Sequence, residues 1–162
     1  FLGEQNSHWI NLYKNSPLGH KIRIIPRQQH QSDVYSIMSQ TDCGVFPARA
    51  EGWNLELLEM MACGKTVITT NYSAHTEFCT NSNSYLIDIA NLETAFDGVW
   101  FFGGGLWGSL GEKEQNLFTE HMRNVHSLKK KGGLDSNVSG ITTAHEYSWD
   151  NSAKNFIKGL AI

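Results

Sequence analysis

Two carboxylates and a short glycine-bearing loop are the residues best suited to chemistry in this 162-residue chain. Glu51 opens the run Glu51-Gly52-Trp53-Asn54, and Glu59 falls inside the helix that should begin near Asn54. A helix N-terminus presents unpaired backbone N–H groups and a partial positive charge, both suited to a phosphate. Gly52 allows close approach of backbone to a ligand. Glu59 would lie one to two turns into the helix, with its side chain leaning back toward the N-terminal end. Both carboxylates could then accept hydrogen bonds from sugar hydroxyls on either side of a phosphate held by backbone.

The surrounding pattern is what would position them. Val45-Phe46-Pro47 reads as a buried strand ending in a turn. Leu55, Leu58 and Ala62 follow at helical spacing, and Leu57 and Met61 widen the apolar stripe. Gly64 stops the helix, and the β-branched run Thr66-Val67-Ile68-Thr69-Thr70 makes the next strand. Strand, loop, helix, turn and strand form one βαβ unit, whose first loop opens at the carboxyl edge of the sheet, where open α/β folds bind ligands.

The rest of the chain extends the alternation. Residues 1–3 read as a strand end, and residues 4–14 as a helix with Trp9, Leu12 and Tyr13 on one side. Residues 21–25 read as a buried parallel strand with Pro26 and Arg27 at its carboxyl end. Residues 31–40 read as a helix with Val34, Ile37 and Met38 inward. Beyond the central unit come a short helix at 74–80 carrying Glu77, a strand at 84–89, and an aromatic, glycine-rich linker at 90–111. A long amphipathic helix at 112–131, a polar irregular stretch at 134–146 and a final helix at 149–159 complete the reading. The fold class is therefore α/β, a Rossmann-like doubly wound parallel sheet in one domain spanning 1–162.

Composition narrows the function classes. The chain is 40% hydrophobic and 18% charged with a net charge of −3, ordinary for a globular protein and not basic enough for a nucleic-acid surface. Lys129-Lys130-Lys131 reads as a solvated helix end. No apolar run reaches membrane-spanning length and no signal peptide opens the chain, so a cytoplasmic setting is expected, or a membrane-peripheral one in a longer protein. The chain begins at Phe1 rather than Met and is expected to be a piece of something longer. Cys43, Cys63 and Cys79 read as reduced thiols. His121 and His126 are spaced for different helix faces and no Cys/His cluster or D-x-D triplet occurs, so no metal site is expected. Gly103 to Gly108 fits G-x-G-x-x-G, but without a following βαβ unit it reads as linker.

The block EGWNLELLE, followed by MACGKTVITT and then by Glu77, closely resembles the signature of retaining family-4 glycosyltransferases. That pattern runs E-G-F-G-L-x-x-x-E-A-M-A-C-G-x-P-V-I, then a glycine pair and E. Thr41 to Ala48 resembles the family's upstream strand A-D-V-F-V-x-P-S, one residue shorter, and Tyr147-Ser148-Trp149 resembles its F-S-W. The resemblance covers about residues 23–160 and is diffuse between 91 and 145. Trp53 and Asn54 stand where Phe and Gly are usual, Thr66 where Pro is usual, and Ser73-Ala74-His75 replaces the glycine pair.

The resemblance implies the C-terminal, nucleotide-sugar-binding half of a GT-B enzyme, lacking its N-terminal acceptor domain and, through truncation or rearrangement, its first βα unit. It implies a UDP- or GDP-sugar as donor, an acceptor glycan, lipid or protein, and no cofactor. Glu59 would hold the ribose hydroxyls, Glu51 would sit by the transferred sugar as the catalytic carboxylate, and backbone N–H groups of Trp53, Asn54 and Leu55 would meet phosphate and sugar, with Gly52 in the same loop. Glu77 matches the family's last Glu or is simply solvated. Arg27 would lie against the nucleotide base or serve the surface. Arg49 is expected to pair with Glu51 rather than with phosphate, and His75 to be an exposed loop histidine rather than a donor contact. A catalytically inactive nucleotide-sugar-binding or scaffold module is the alternative, supported by the altered 73–75 segment and the missing phosphate cations. A nucleotide-sugar epimerase on the same fold has no local motif in its favour.

Overall fold

A computed structural model describes residues 10–160. The chain divides into two compact units, Phe1–Val34 and Tyr35–Ile162. In the first, residues 10–14 are helical and Gly19–Lys21 form a 3-10 turn; the rest of the helix expected at 4–14, and the strand end at 1–3, lie outside the described residues. Residues 22–28 run without regular structure, and Ile22, Ile24 and Ile25 are exposed. This corrects the expected buried strand at 21–25. β-branched residues favour a pleated surface, but a strand also needs a ladder, and none forms there among the described residues. Helix α1, Gln31–Ser39, contains the unit boundary, with Val34, Ile37, Met38 and Ser39 as its half-buried positions.

The second unit is built on a parallel sheet, β1 (Cys43–Phe46), β2 (Thr66–Asn71) and β3 (Tyr85–Asp88), in the order β1-β2-β3. Cys43 pairs with Thr66 and Phe46 with Thr69, while Ile68 pairs with Tyr85 and Asn71 with Asp88. Successive side chains of β2 alternate between the two faces. Val67 joins a cluster with Leu57, Leu58, Met60 and Met61 of helix α2 (Leu55–Ala62). Ile68 joins the opposite cluster with Ile87 and with Phe118 and Val125 of helix α3 (Glu112–Lys130). Helices therefore cover both faces, as a Rossmann-like α/β unit requires.

Four local expectations are corrected. In α2 the buried residues are Leu57, Leu58, Met60 and Met61, whereas Leu55 and Ala62 are exposed; the stripe is rotated from the one counted on Leu55. Val45 is exposed because β1 is an edge strand of this sheet. Residues 90–111 are no flexible linker. They contain an antiparallel hairpin, β4 (Leu92–Phe96) and β5 (Phe102–Gly108). The Asp97 carboxylate closes its turn by accepting from the N–H groups of Val99, Trp100 and Phe101 at 2.8, 2.8 and 2.9 Å. Residues 134–146 hold a helix, α4 (Val138–Glu146), which packs on α2 with Ala144 against the α2 cluster. Its larger apolar residues Val138 and Ile141 are exposed, so its sequence shows no buried apolar stripe. A final helix, α5, spans Trp149–Leu160.

Asn137 joins these pieces. Its Oδ1 accepts from Gly140 N–H at 2.9 Å, capping α4. Its Nδ2 donates to Lys65 O at 3.1 Å and Asn83 O at 2.8 Å, and its backbone N–H donates to Gly64 O at 2.9 Å. Asn137→Ala loses the cap and leaves two carbonyls without their partner, so urea unfolding is expected to show a loss of about 2–3 kcal/mol. A loss below about 0.5 kcal/mol would contradict this role.

Candidate functional site

Two loops meet at the carboxyl edge of β1 and β2. The first, residues 47–54, leads from β1 into α2, and the second leaves β2 and enters a 3-10 turn, Ser73–Glu77. Ser73 clasps them together: its hydroxyl donates to Glu51 O at 2.6 Å and accepts from Glu51 N–H at 3.1 Å. The Glu51 side chain itself is exposed, and so is Gly52. A Cβ built on Gly52 meets no atom within 4 Å, and its φ is one any residue adopts. Neither the backbone conformation nor packing among the described residues requires glycine there.

Trp53 is half-buried, its ring tilted against Phe78 and Tyr147 at 5.2 and 5.3 Å between centroids. Asn54 follows with φ 72° and ψ 71°, a left-handed conformation that side chains other than glycine rarely adopt. Its amide compensates in two directions. Oδ1 accepts from Leu57 N–H at 3.2 Å, the N-cap bond of α2, and Nδ2 donates to His75 Nε2 at 2.9 Å. Leu55 is the first residue of the helix, and Glu59, half-buried, lies one turn beyond it.

His75 is fully buried, which corrects the expected exposed loop histidine. Because Asn54 Oδ1 is committed to Leu57 N–H, Asn54 presents its NH2 to the ring, and Nε2 must be the accepting, unprotonated nitrogen. Nδ1 therefore carries the proton. It donates to Thr70 O at 3.0 Å and lies 2.9 Å from Thr69 Oγ1. The threonines carry the chain of bonds to the first loop: Thr69 Oγ1 donates to Phe46 O at 3.3 Å and Thr70 Oγ1 to Ala48 O at 2.7 Å. Burial depresses the His75 pKa from its ordinary 6.5, while the Thr70 carbonyl and the Glu51 charge act in the opposite direction.

Arg49 does not pair with Glu51. Its guanidinium forms an ion pair with Glu93 of β4, lies 4.0 Å over the Trp107 ring, and donates from Nε to Gly108 O at 2.9 Å. Gly108 N–H returns a bond to Arg49 O at 2.7 Å. A Cβ on Gly108 would lie 3.2 Å from that same carbonyl and 3.1 Å from the Ile89 side chain, so glycine permits the approach. The hairpin is thereby bolted to the loop two residues before Glu51.

The remaining expected residues, Glu77 and Arg27, make none of these hydrogen bonds. Glu77 is exposed at the end of the 3-10 turn, and its carbonyl accepts from Tyr147 Oη at 2.9 Å. Arg27 is exposed in the first unit. Among the described residues no group of three His, Cys, Asp or Glu side chains converges as a metal ion would need. The three cysteines are free thiols, and burial pushes Cys43 and Cys79 up to about 11. No helix among the described residues is long and apolar enough to cross a membrane.

Sequence reasoning missed Ser73, His75 and the side-chain role of Asn54. A signal was present, since Asn54 stands where the resembled pattern carries glycine and the segment Ser73-Ala74-His75 replaces its glycine pair. Ser73, with φ 58°, and Asn54 are the two non-glycine residues at positive φ among those described. Here polar side chains replace glycine and hold the unusual backbone by hydrogen bonds.

The buried neutral imidazole has a consequence for stability. The unfolded state binds a proton at His75 more readily than the folded state does, so the contribution is complete above about pH 6.5 and is lost as pH falls below it. Urea unfolding between about pH 8 and pH 5 should lose a component in the wild type that is absent in His75→Gln. Glu51→Gln removes a charge that raises the His75 pKa and should deepen the acid loss. Parallel wild-type and His75→Gln profiles would contradict the assignment.

No curated protein matches the chain significantly. The model of the family described as glycosyl transferases group 1 matches residues 2–99, which include β1, α2, β2 and both loops of the site. With well over half of the sequence matched and a helix-covered parallel sheet beneath the loops, this chain belongs to the glycosyl transferases group 1 family.

Proposed function

We infer that the chain is the donor-binding domain of a retaining glycosyltransferase and takes a nucleoside-diphosphate sugar, a UDP- or GDP-sugar, at the N-terminal end of α2. The observation that carries this reading is the exposed Glu51-Gly52 loop, clasped at the carboxyl edge of the sheet immediately before a capped helix start. A glycine that packing among the described residues does not require suits close approach of a ligand. First-turn N–H groups have no carbonyl one turn back and can meet a phosphate.

In this reading the backbone N–H groups of Trp53, Asn54 and Leu55 hold the diphosphate and its adjoining sugar, Glu59 accepts from the ribose hydroxyls, and Glu51 accepts from the transferred sugar. As the bond between the anomeric carbon and the phosphate oxygen breaks, negative charge grows on the departing nucleoside diphosphate. The helix start faces that charge and lowers the barrier without reorganising. The acceptor oxygen forms its new bond on the same face and passes its proton to the leaving phosphate. The transferred group is a hexosyl unit, the reaction uses no metal, and the acceptor is held by a separate N-terminal domain. The present chain alone binds nucleotide weakly and transfers nothing.

Calorimetric titration with UDP and GDP tests this. Wild type should bind one of them, and Glu59→Ala should weaken that binding about tenfold, as expected for loss of hydrogen bonds to a carboxylate. Failure of wild type to bind either nucleotide, or unchanged binding by Glu59→Ala, would overturn the reading.

A further inference from the structure

His75 is fully buried beneath both loops and bonds to the side chain of Asn54 and the carbonyl of Thr70 rather than to the carboxylates expected to meet a donor. Asn54 needs something to hold it. Its left-handed backbone is unfavourable for a residue with a Cβ, and its amide must stay oriented with Oδ1 on Leu57 N–H for the cap to form. A bare imidazole nitrogen is an acceptor only, so it accepts the Asn54 NH2 and rejects the flipped amide, which would present oxygen to nitrogen lone pair. The ring is in turn fixed by its Nδ1–H bond to the Thr70 carbonyl and by its edge contact with Phe78, 6.3 Å between centroids at 77°.

We propose that His75 is a positioning residue of the donor site, acting through the Asn54 side chain to set where the first N–H groups of α2 point. Asn54 and His75 form one device: the histidine selects the amide orientation, the amide caps the helix, and the cap fixes the N–H groups that would receive the phosphate. Asparagine at position 54 is useful only while a buried acceptor stands at position 75. The inference rests on the donor-site reading for its ligand and on the geometry alone for the helix start.

The test uses the present chain with UDP and GDP as probes, and reads both nucleotide affinity and exchange of the Leu57 amide. His75→Ala should weaken nucleotide binding and speed Leu57 exchange, each about tenfold or more, as expected when a buried donor loses its partner. His75→Gln, whose Oε1 can accept from Asn54, should recover most of both. The nitrogen-15 spectrum of wild type should show Nδ1 protonated and Nε2 bare, with the Nε2 resonance moving in Asn54→Ala. A ring protonated on Nε2, or Leu57 exchange unchanged in both His75 variants, overturns the proposal even if nucleotide binds. So does nucleotide affinity unchanged in His75→Ala, which leaves the donor reading standing. Leu57 exchange that follows His75 in a wild-type chain binding neither nucleotide supports the positioning device and defeats the donor reading instead. Should His75→Ala fail to fold, His75→Gln and the ring spectrum decide.

Discussion

The hydrogen bond from Asn54 Nδ2 to His75 Nε2, 2.9 Å long and buried, is the constraint on which the rest of the candidate site depends. It joins the loops of two adjacent parallel strands, residues 21 apart in sequence. On one side it steadies a left-handed residue that caps α2. On the other, His75 is tied through Thr70 O to β2, whose threonines hold the carbonyls of Phe46 and Ala48 at the end of β1. With the Ser73–Glu51 clasp above it, the edge of the sheet becomes one hydrogen-bonded body. A helix N-terminus is useful for binding an anion only when its N–H groups are held still before the ligand arrives, and that is what such a body provides.

Glycine solves the backbone problem in the resembled pattern by having no Cβ, at the cost of a looser unfolded chain. This chain solves it with asparagine and serine. Each tolerates positive φ better than bulkier residues do when its side chain finds a local partner. The two changes are physically linked, because Asn54 and the 73–75 segment are bonded to the same network. They therefore read as one compensated exchange at the edge of the site rather than as decay of a binding loop.

The βαβ unit and the place of Glu51 and Glu59 were legible because they rest on local periodicity, a stop glycine and a β-branched run. His75 was not legible as a buried residue, since its partner is distant in sequence and a histidine in a loop carries no periodic signal. Arg49 was misassigned for a similar reason: Glu51 is near in sequence, but Glu93 and Trp107 lie across a hairpin that three consecutive glycines made look like a linker. Helix α4 was hidden because it meets α2 with the small Ala144 and leaves Val138 and Ile141 exposed, without the buried apolar stripe that identifies helices. Residues 21–25 show the converse, β-branched composition without a ladder to join. Where a feature depends on tertiary partners, sequence patterns identify the residues and not their roles.

Coupling between Asn54 and His75 is the claim to measure most directly. A double-mutant cycle of Asn54→Ala and His75→Ala, followed by urea unfolding at a pH where the imidazole is neutral, isolates it. The account predicts strong non-additivity, with a coupling energy of about 1–2 kcal/mol, because either substitution alone already breaks the shared bond. Effects that add to within about 0.3 kcal/mol would mean that the two residues stabilise the chain independently, and would contradict it.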